Sequence, residues 1–358
     1  MNTYTNNMTK TERVAYGLRE LYENYGYAKY RMSKFEEYDL YVRNKSFLLS
    51  DHIITFTDID GKLMALKPDV TLSIVKSTPD TECGMHKVYY DENVYRVPKG
   101  SFSFKEIMQT GLECIGELDT YSVYEVLMLA AKSLEEISED FVLDISDLGI
   151  LTSLIDSTSV DREGKARLFE AIGEKNTHAI DSICKEYGVD QKSRDILLSL
   201  VSIKGNCDEM LEILKDTDSK EEAEKLSEII SLLKKTFGER IRVDFSVIND
   251  TRYYNGIVFK GFIKGIPSSV LTGGRYDSLM SRMGKKSGAI GFAVYLDLVD
   301  ELDDDADEFD CDVFLLYGAQ TPINVVSEKI DLLLKNGKKV KSGKAIMSGV
   351  RYKELIEI

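Results

Sequence analysis

The chain has 358 residues, of which 43% are hydrophobic and 30% charged, and a formal charge of −15. That length accommodates two or three domains, and that composition supplies a large core. The acidic balance argues against a broad phosphate-gripping face, so no nucleic-acid partner is expected.

In chain order, KTERVAYGLRELYENY places Val14, Leu18, Leu21, Tyr22 and Tyr25 at helical spacing, and Gly26 is a fitting stop. YAKYRMSKFEEYDLY reads as extended. ITFTDIDGKLMAL reads as a hairpin that turns at Asp60-Gly61. DVTLSIVKST reads as a helix. KVYYDENVYRVP and KEIMQTGLECIGEL read as two strands around a loop from Pro98 to Phe104, and YSVYEVLMLAAKSLEEI as a helix. From Ser159 to Gly238 strand signals give way to helix formers. Leu197, Leu200 and Val201 mark one helix there, and Leu226, Ile229, Ile230 and Leu233 another. Strand patterning resumes at RIRVDFSVI. In DTRYYNGIVFKGF the spacing predicts a hairpin turning at Asn255-Gly256, with Tyr253 and Tyr254 on opposite faces of its first strand. Between Asp300 and Asp310, eight of eleven residues are acidic, which predicts a solvated linker. Residues 311–358 predict a strand, a helix and a strand, too few for an independent core.

The chemistry-bearing residues are sparse. Five widely spaced cysteines contain no C-x-x-C pair, and none of the three histidines is near a second metal ligand, so no metal centre or disulfide framework is expected. No run of eighteen apolar residues predicts a membrane span. MNTYTNNMTKTER lacks an apolar signal region, which makes the cytoplasm the expected compartment. Arg96 ends one predicted strand, and Gln109, Gly111 and Glu113 alternate along the next. The two polar side chains then share a face, with room for a ligand over Gly111, or else simply line a solvated sheet face. LTGGRYDSL holds a glycine pair, Gly273-Gly274, that permits either a close backbone approach to a ligand or a plain turn. Gly288 and Gly291 in GAIGFAVYL permit close packing.

Taken in order, LKPDVT, YRVP…QTGLE, RYYNGIVF, GGRYD and GAIGFAVYLDLV resemble the motifs of the histidyl-tRNA synthetase family across roughly residues 8–300. GGRYD is identical to the family's segment. The resemblance implies an α+β, class II aminoacyl-tRNA synthetase-like fold: an antiparallel sheet flanked by helices, with an all-helical insertion. The implied organisation is a core of residues 1–158 and 239–299, an insertion of 159–238, a linker of 300–310 and a short α/β segment of 311–358. The family's amino-acid pocket maps onto Asp69, Thr71, Arg96, Gln109, Glu113, Tyr253, Tyr254 and Tyr276. Asp69 replaces a glutamate there. On this mapping an anion and an amide receive the α-ammonium group, and Glu113 with a tyrosine reads the imidazole.

The departures concern nucleotide chemistry. Leu298 stands where the family has an ATP-binding arginine, and Tyr295 where it has a glycine. Asn249 stands where it has the arginine that promotes activation, Arg252 where it has aspartate, and Ser33 where it has a proline. One lost electrostatic donor of this kind costs roughly 3–4 kcal/mol in a transition state. A pocket retained without its ATP machinery resembles a paralogous family, the regulatory subunits of ATP phosphoribosyltransferase. That resemblance implies a non-catalytic chain without a cofactor, a short-form catalytic subunit as partner, histidine as effector, and a homodimer within a hetero-oligomer. The alternatives are a divergent histidyl-tRNA synthetase and a histidine-binding module of another complex.

Overall fold

The computed structural model describes residues 8–48, 52–79, 84–97, 103–203, 205–248, 253–302 and 309–358. Asn249, Arg252, Cys83 and most of the acidic run lie outside them. Two compact units divide the chain, residues 1–302 and 303–358.

The first unit opens with α1 (Lys10–Asn24). Thr9 and Glu12 cap it reciprocally, each side chain accepting from the other residue's backbone N–H. Then come β1 (Ala28–Lys29), β2 (Phe35–Glu37), α2 (Tyr38–Arg43), β3 (Thr55–Thr57), β4 (Leu63–Leu66) and α3 (Thr71–Ser77). Two long strands follow, β5 (Met85–Arg96) and β6 (Lys105–Gly116), then α4 (Thr120–Ile137), β7 (Phe141–Asp147) and α5 (Leu148–Asp156). A run of helices comes next: α6 (Arg162–Gly173), α7 (Thr177–Glu186), α8 (Gln191–Ser202), α9 (Cys207–Leu214) and α10 (Lys220–Phe237). Asp161, Asn176, Asp190 and Asn206 cap the first four, each side chain accepting a backbone N–H. The unit closes with β8 (Ile241–Val243), β9 (Ile257–Ile263), β10 (Leu271–Arg275), α11 (Asp277–Arg282) and β11 (Gly288–Tyr295).

Eight strands form one sheet in the order β1-β5-β6-β11-β10-β9-β7-β8. All pairings from β5 to β7 are antiparallel, and both end strands pair in parallel. On one face α1 and α4 bury Leu18, Tyr22, Leu127 and Leu134 against Leu112, Phe292 and Val294. On the other face α3 and α11 contribute Leu72, Ile74, Leu279 and Met280 to a second cluster with Tyr90, Ile115 and Ala289. The α+β, class II arrangement expected from the motifs is the observed one.

The second unit holds β12 (Cys311–Leu316), α12 (Ile323–Lys335), β13 (Val340–Gly343) and β14 (Tyr352–Glu357), with parallel strands in the order β13-β12-β14.

Four local expectations need correction. Tyr38–Arg43 is a helix, not a continued extended segment. Leu40 and Tyr41 turn inward at helical spacing, and Tyr41 is fully buried. In RIRVDFSVI only Ile241–Val243 is a strand; Asp244 starts a turn by accepting from Ser246 N at 2.9 Å. Tyr253 and Tyr254 sit in a turn before β9, not on a strand. Gly273 and Gly274 lie within β10, not at a turn. β7 and α5 carry no expectation from the sequence reading above; β7 is buried along most of its length and so lacks the alternation that announces a half-exposed strand.

Candidate functional site

The site lies over the centre of the large sheet, where the strands carry unusually small residues. Gly111 on β6, Gly291 and Ala293 on β11 and Gly274 on β10 leave a depression. Register then decides what surrounds it. Glu113 is opposite Gly291, Gly111 opposite Ala293, and Gln109 opposite Tyr295. Period-two alternation puts all six of these on one face.

Each glycine makes room for a named side chain. A Cβ at Gly291 would collide with the Glu113 carboxylate. A Cβ at Gly274 would lie 2.6 Å from the Tyr254 ring. At Gly111 it would lie 2.6 Å from the Tyr90 hydroxyl. The space over Gly111 is therefore filled by its cross-strand partner Tyr90, not left open for a ligand.

All eight residues named from the motifs line one cavity of about 50 Å³, together with Tyr90, Thr272 and Tyr295. Asp69 and Thr71 enter from the start of α3, where Asp69 Oδ1 accepts from Leu72 N at 2.8 Å. Tyr253 and Tyr254 enter together. Their ring centroids are 4.6 Å apart, and Tyr253 is 5.7 Å from Tyr276. Outside a strand nothing forces neighbouring rings to opposite faces, so both tyrosines close the same cavity.

Glu113 is 2% exposed, and both of its oxygens are held. Thr71 Oγ1 donates to Oε1 at 2.7 Å, and Tyr276 OH donates to Oε2 at 2.5 Å. Burial pushes its carboxyl up to about 8; the two hydroxyl donors oppose this, and the Asp69 charge adds to it. Burial also raises Asp69, against the pull of Leu72 N–H and Arg96. The Tyr90, Tyr253, Tyr254 and Tyr276 phenols are raised well above their ordinary range, first by burial and then by these carboxylates. The Glu113 carboxyl and the four phenols are thus protonated near pH 7.

Arg96 and Gln109 differ from this clamped set. Arg96 is 9% exposed and Gln109 5%, and neither side chain makes a hydrogen bond or ion pair among the described residues. The guanidinium carbon lies 5.8 Å from the Tyr295 ring centroid. Tyr295 was named from the motifs only as a departure from the family's glycine, and Thr272 not at all, so neither was mapped to the pocket. Leu298 does not line the cavity, and it packs against the hydrophobic core. Among the described residues no group of three or more His, Cys, Asp or Glu could hold a metal ion, and no helix is long and apolar enough to cross a membrane.

A family model described as Histidyl-tRNA synthetase matches residues 3–299. An ATP phosphoribosyltransferase regulatory subunit from Caldanaerobacter subterraneus subsp. tengcongensis is 32% identical over 291 residues, covering 78% of this chain and 75% of that protein. One from Bacillus cereus is 27% identical over 352 residues, covering 93% and 82%. A solved ATP phosphoribosyltransferase regulatory subunit/histidyl-tRNA synthetase from Bacillus halodurans C superposes with a TM-score of 0.77 at 23% identity, covering 97% of this chain and 93% of that one. The ATP phosphoribosyl transferase (HisG:HisZ) complex from Thermotoga maritima contains a chain with a TM-score of 0.62 at 17% identity, covering 79% and 96%. The two structural likenesses bear on fold alone.

Proposed function

The chain belongs to the histidyl-tRNA synthetase family, among its ATP phosphoribosyltransferase regulatory subunits, and from that premise we propose that it is a non-catalytic histidine sensor. It would bind a short catalytic subunit in the first step of histidine biosynthesis, activate it, and report histidine occupancy across their interface. The phosphoribosyl transfer occurs wholly on the partner. Coupling between the two sites is reciprocal: whatever histidine does to the partner's affinity, the partner does to histidine's.

One observation carries the reading. The cavity keeps an anion, an amide, a guanidinium and phenols, while the position of the ATP-binding arginine is Leu298, which packs half-buried against the core. Further support comes from the relative from Caldanaerobacter subterraneus subsp. tengcongensis, named as a regulatory subunit of that enzyme at 32% identity. A homodimer within the hetero-oligomer is part of the proposal, on the family resemblance.

Mixing the purified chain with the short catalytic subunit tests it. The chain alone transfers no phosphoribosyl group, the mixture is active, and histidine inhibits the mixture. Full histidine-inhibited activity of the partner without this chain would overturn the regulatory role.

A further inference from the structure

A buried guanidinium with no hydrogen bond or ion pair to another described residue is costly, and an arginine stem is flexible enough to carry it out to water. In this pocket the Arg96 guanidinium stays over the face of Tyr295, 5.8 Å from the ring centroid. That distance is within cation–π reach. The ring in turn is fixed at both ends. Tyr295 N donates to Val270 O at 2.8 Å, and its hydroxyl shares a 2.9 Å hydrogen bond with Thr272 Oγ1. Gln109, directly across the ladder, offers a second polar group whose side chain has no hydrogen bond among the described residues. Gln109 and Glu113 are four residues apart on β6, roughly 13 Å along the strand. The cavity therefore has two chemically distinct ends. Glu113, clamped by Thr71 and Tyr276, marks one; the Arg96 guanidinium and the Gln109 amide mark the other.

We infer that Tyr295, locked by Thr272, aims Arg96 as the receptor for a ligand carboxylate and so sets the pocket's preference for a free amino acid over its decarboxylated counterpart. This rests on the histidine-sensing reading above and adds a residue to it. Tyr295 is a positioning residue: it acts through Arg96, whose planar fork matches a carboxylate.

The test uses L-histidine and histamine, which share the imidazole and the amine and differ in the carboxylate. Both are titrated calorimetrically into the full chain, with and without the catalytic subunit, for wild type, Tyr295→Ala, Tyr295→Phe and Thr272→Val. Wild type should prefer histidine. Tyr295→Ala should cut that preference about tenfold by weakening histidine alone, a change within the range of a desolvated cation–π contact. Tyr295→Phe keeps the ring and should lose less than about threefold, as should Thr272→Val. Should Tyr295→Ala fail to fold, Tyr295→Leu, which keeps bulk without a π face, decides by the same ratio. Equal weakening of both ligands, or of neither, overturns the inference. Equal affinity of wild type for both ligands also overturns it and leaves the sensing reading standing. Binding of neither ligand by wild type removes the sensing reading and this inference together.

Discussion

Gly291 stands directly across the β6–β11 ladder from Glu113, and the carboxylate fills the space that a side chain at 291 would need. The neighbouring atoms that would have to yield include Leu112 O, which is backbone and cannot move cheaply. Gly291→Ala should therefore displace Glu113 from Thr71 and Tyr276. We expect a loss of roughly 1–3 kcal/mol in stability, as for overpacking elsewhere, together with loss of histidine binding. Denaturant unfolding and calorimetric titration measure the two. Wild-type values for both would show that the carboxylate has somewhere else to go.

Truncating Glu113 removes the acceptor of two hydroxyl groups at once. Glu113→Ala should weaken histidine binding by roughly 1–3 kcal/mol, the cost of leaving a buried hydrogen-bonding partner unsatisfied, or about five- to a hundred-and-fifty-fold in Kd. Assembly with the catalytic subunit should persist. Unchanged histidine affinity would make this face of the sheet a packing network only; loss of the complex would make it an interface support.

The raised Glu113 pKa has a pH signature. Folded, the carboxyl titrates at about 8; its ordinary value is 4.5. Between those two values the folded chain holds a proton that the unfolded chain has released. Stability from this group is thus complete below about 4.5 and declines as pH rises through about 8. Asp69, also raised by burial, contributes with the same sign. Thermal unfolding followed from pH 5 to 9 should show this decline, and Glu113→Gln should flatten it. An identical slope in both proteins would assign the titration to other groups.

The sequence made some of this site legible and hid the rest. Gln109 and Glu113 could be put on one face because strand alternation is fixed at two, and β6 is a long, regular strand. Tyr253 and Tyr254 could not be placed the same way, because alternation presupposes a strand and they occupy a turn. The glycines were visible as glycines, but their roles were not. Gly111, Gly274 and Gly291 each receive a side chain from elsewhere in the chain, and which one depends on register. Arg96 and Tyr295 were both named from the motifs, but that Tyr295 is the platform of Arg96 emerged only from three-dimensional adjacency.

Lys67 is the hidden support of the segment that carries Asp69 and Thr71. It is 1% exposed and pairs with Glu92 on β5, while Tyr95 N donates to its carbonyl at 2.9 Å. Breaking a fully buried pair typically costs about 3–5 kcal/mol. Water reaches Glu92, so Lys67→Met should cost less, roughly 2–3 kcal/mol by denaturant unfolding. Histidine affinity should fall as well, since α3 is no longer pinned. A stability change under about 0.5 kcal/mol, the size of an ordinary surface substitution, would mean the pair is solvated.

No histidyl-adenylate should form. Leu298 packs half-buried against the core and offers no charge to a polyphosphate, and Tyr295 occupies cavity space beside Arg96. Exchange of labelled pyrophosphate into ATP that depends on histidine would contradict this.

The pairing of β6 with β11 also has a consequence for biosynthesis. The floor of the cavity is shared by residues 105–116 and 288–295, which are far apart in the chain. As the polypeptide emerges from the ribosome, β5 and β6 can form a hairpin early, but the β6 edge has no strand to receive it until β11 is made. The helices α6–α10 are translated in that interval. An apolar, unpaired edge held open for so long is a template for wrong pairing between nascent chains. Helices that close on local contacts fold quickly, so the longest part of that interval, α6–α10, cannot extend the edge, whereas β7–β10, made in the same interval, can.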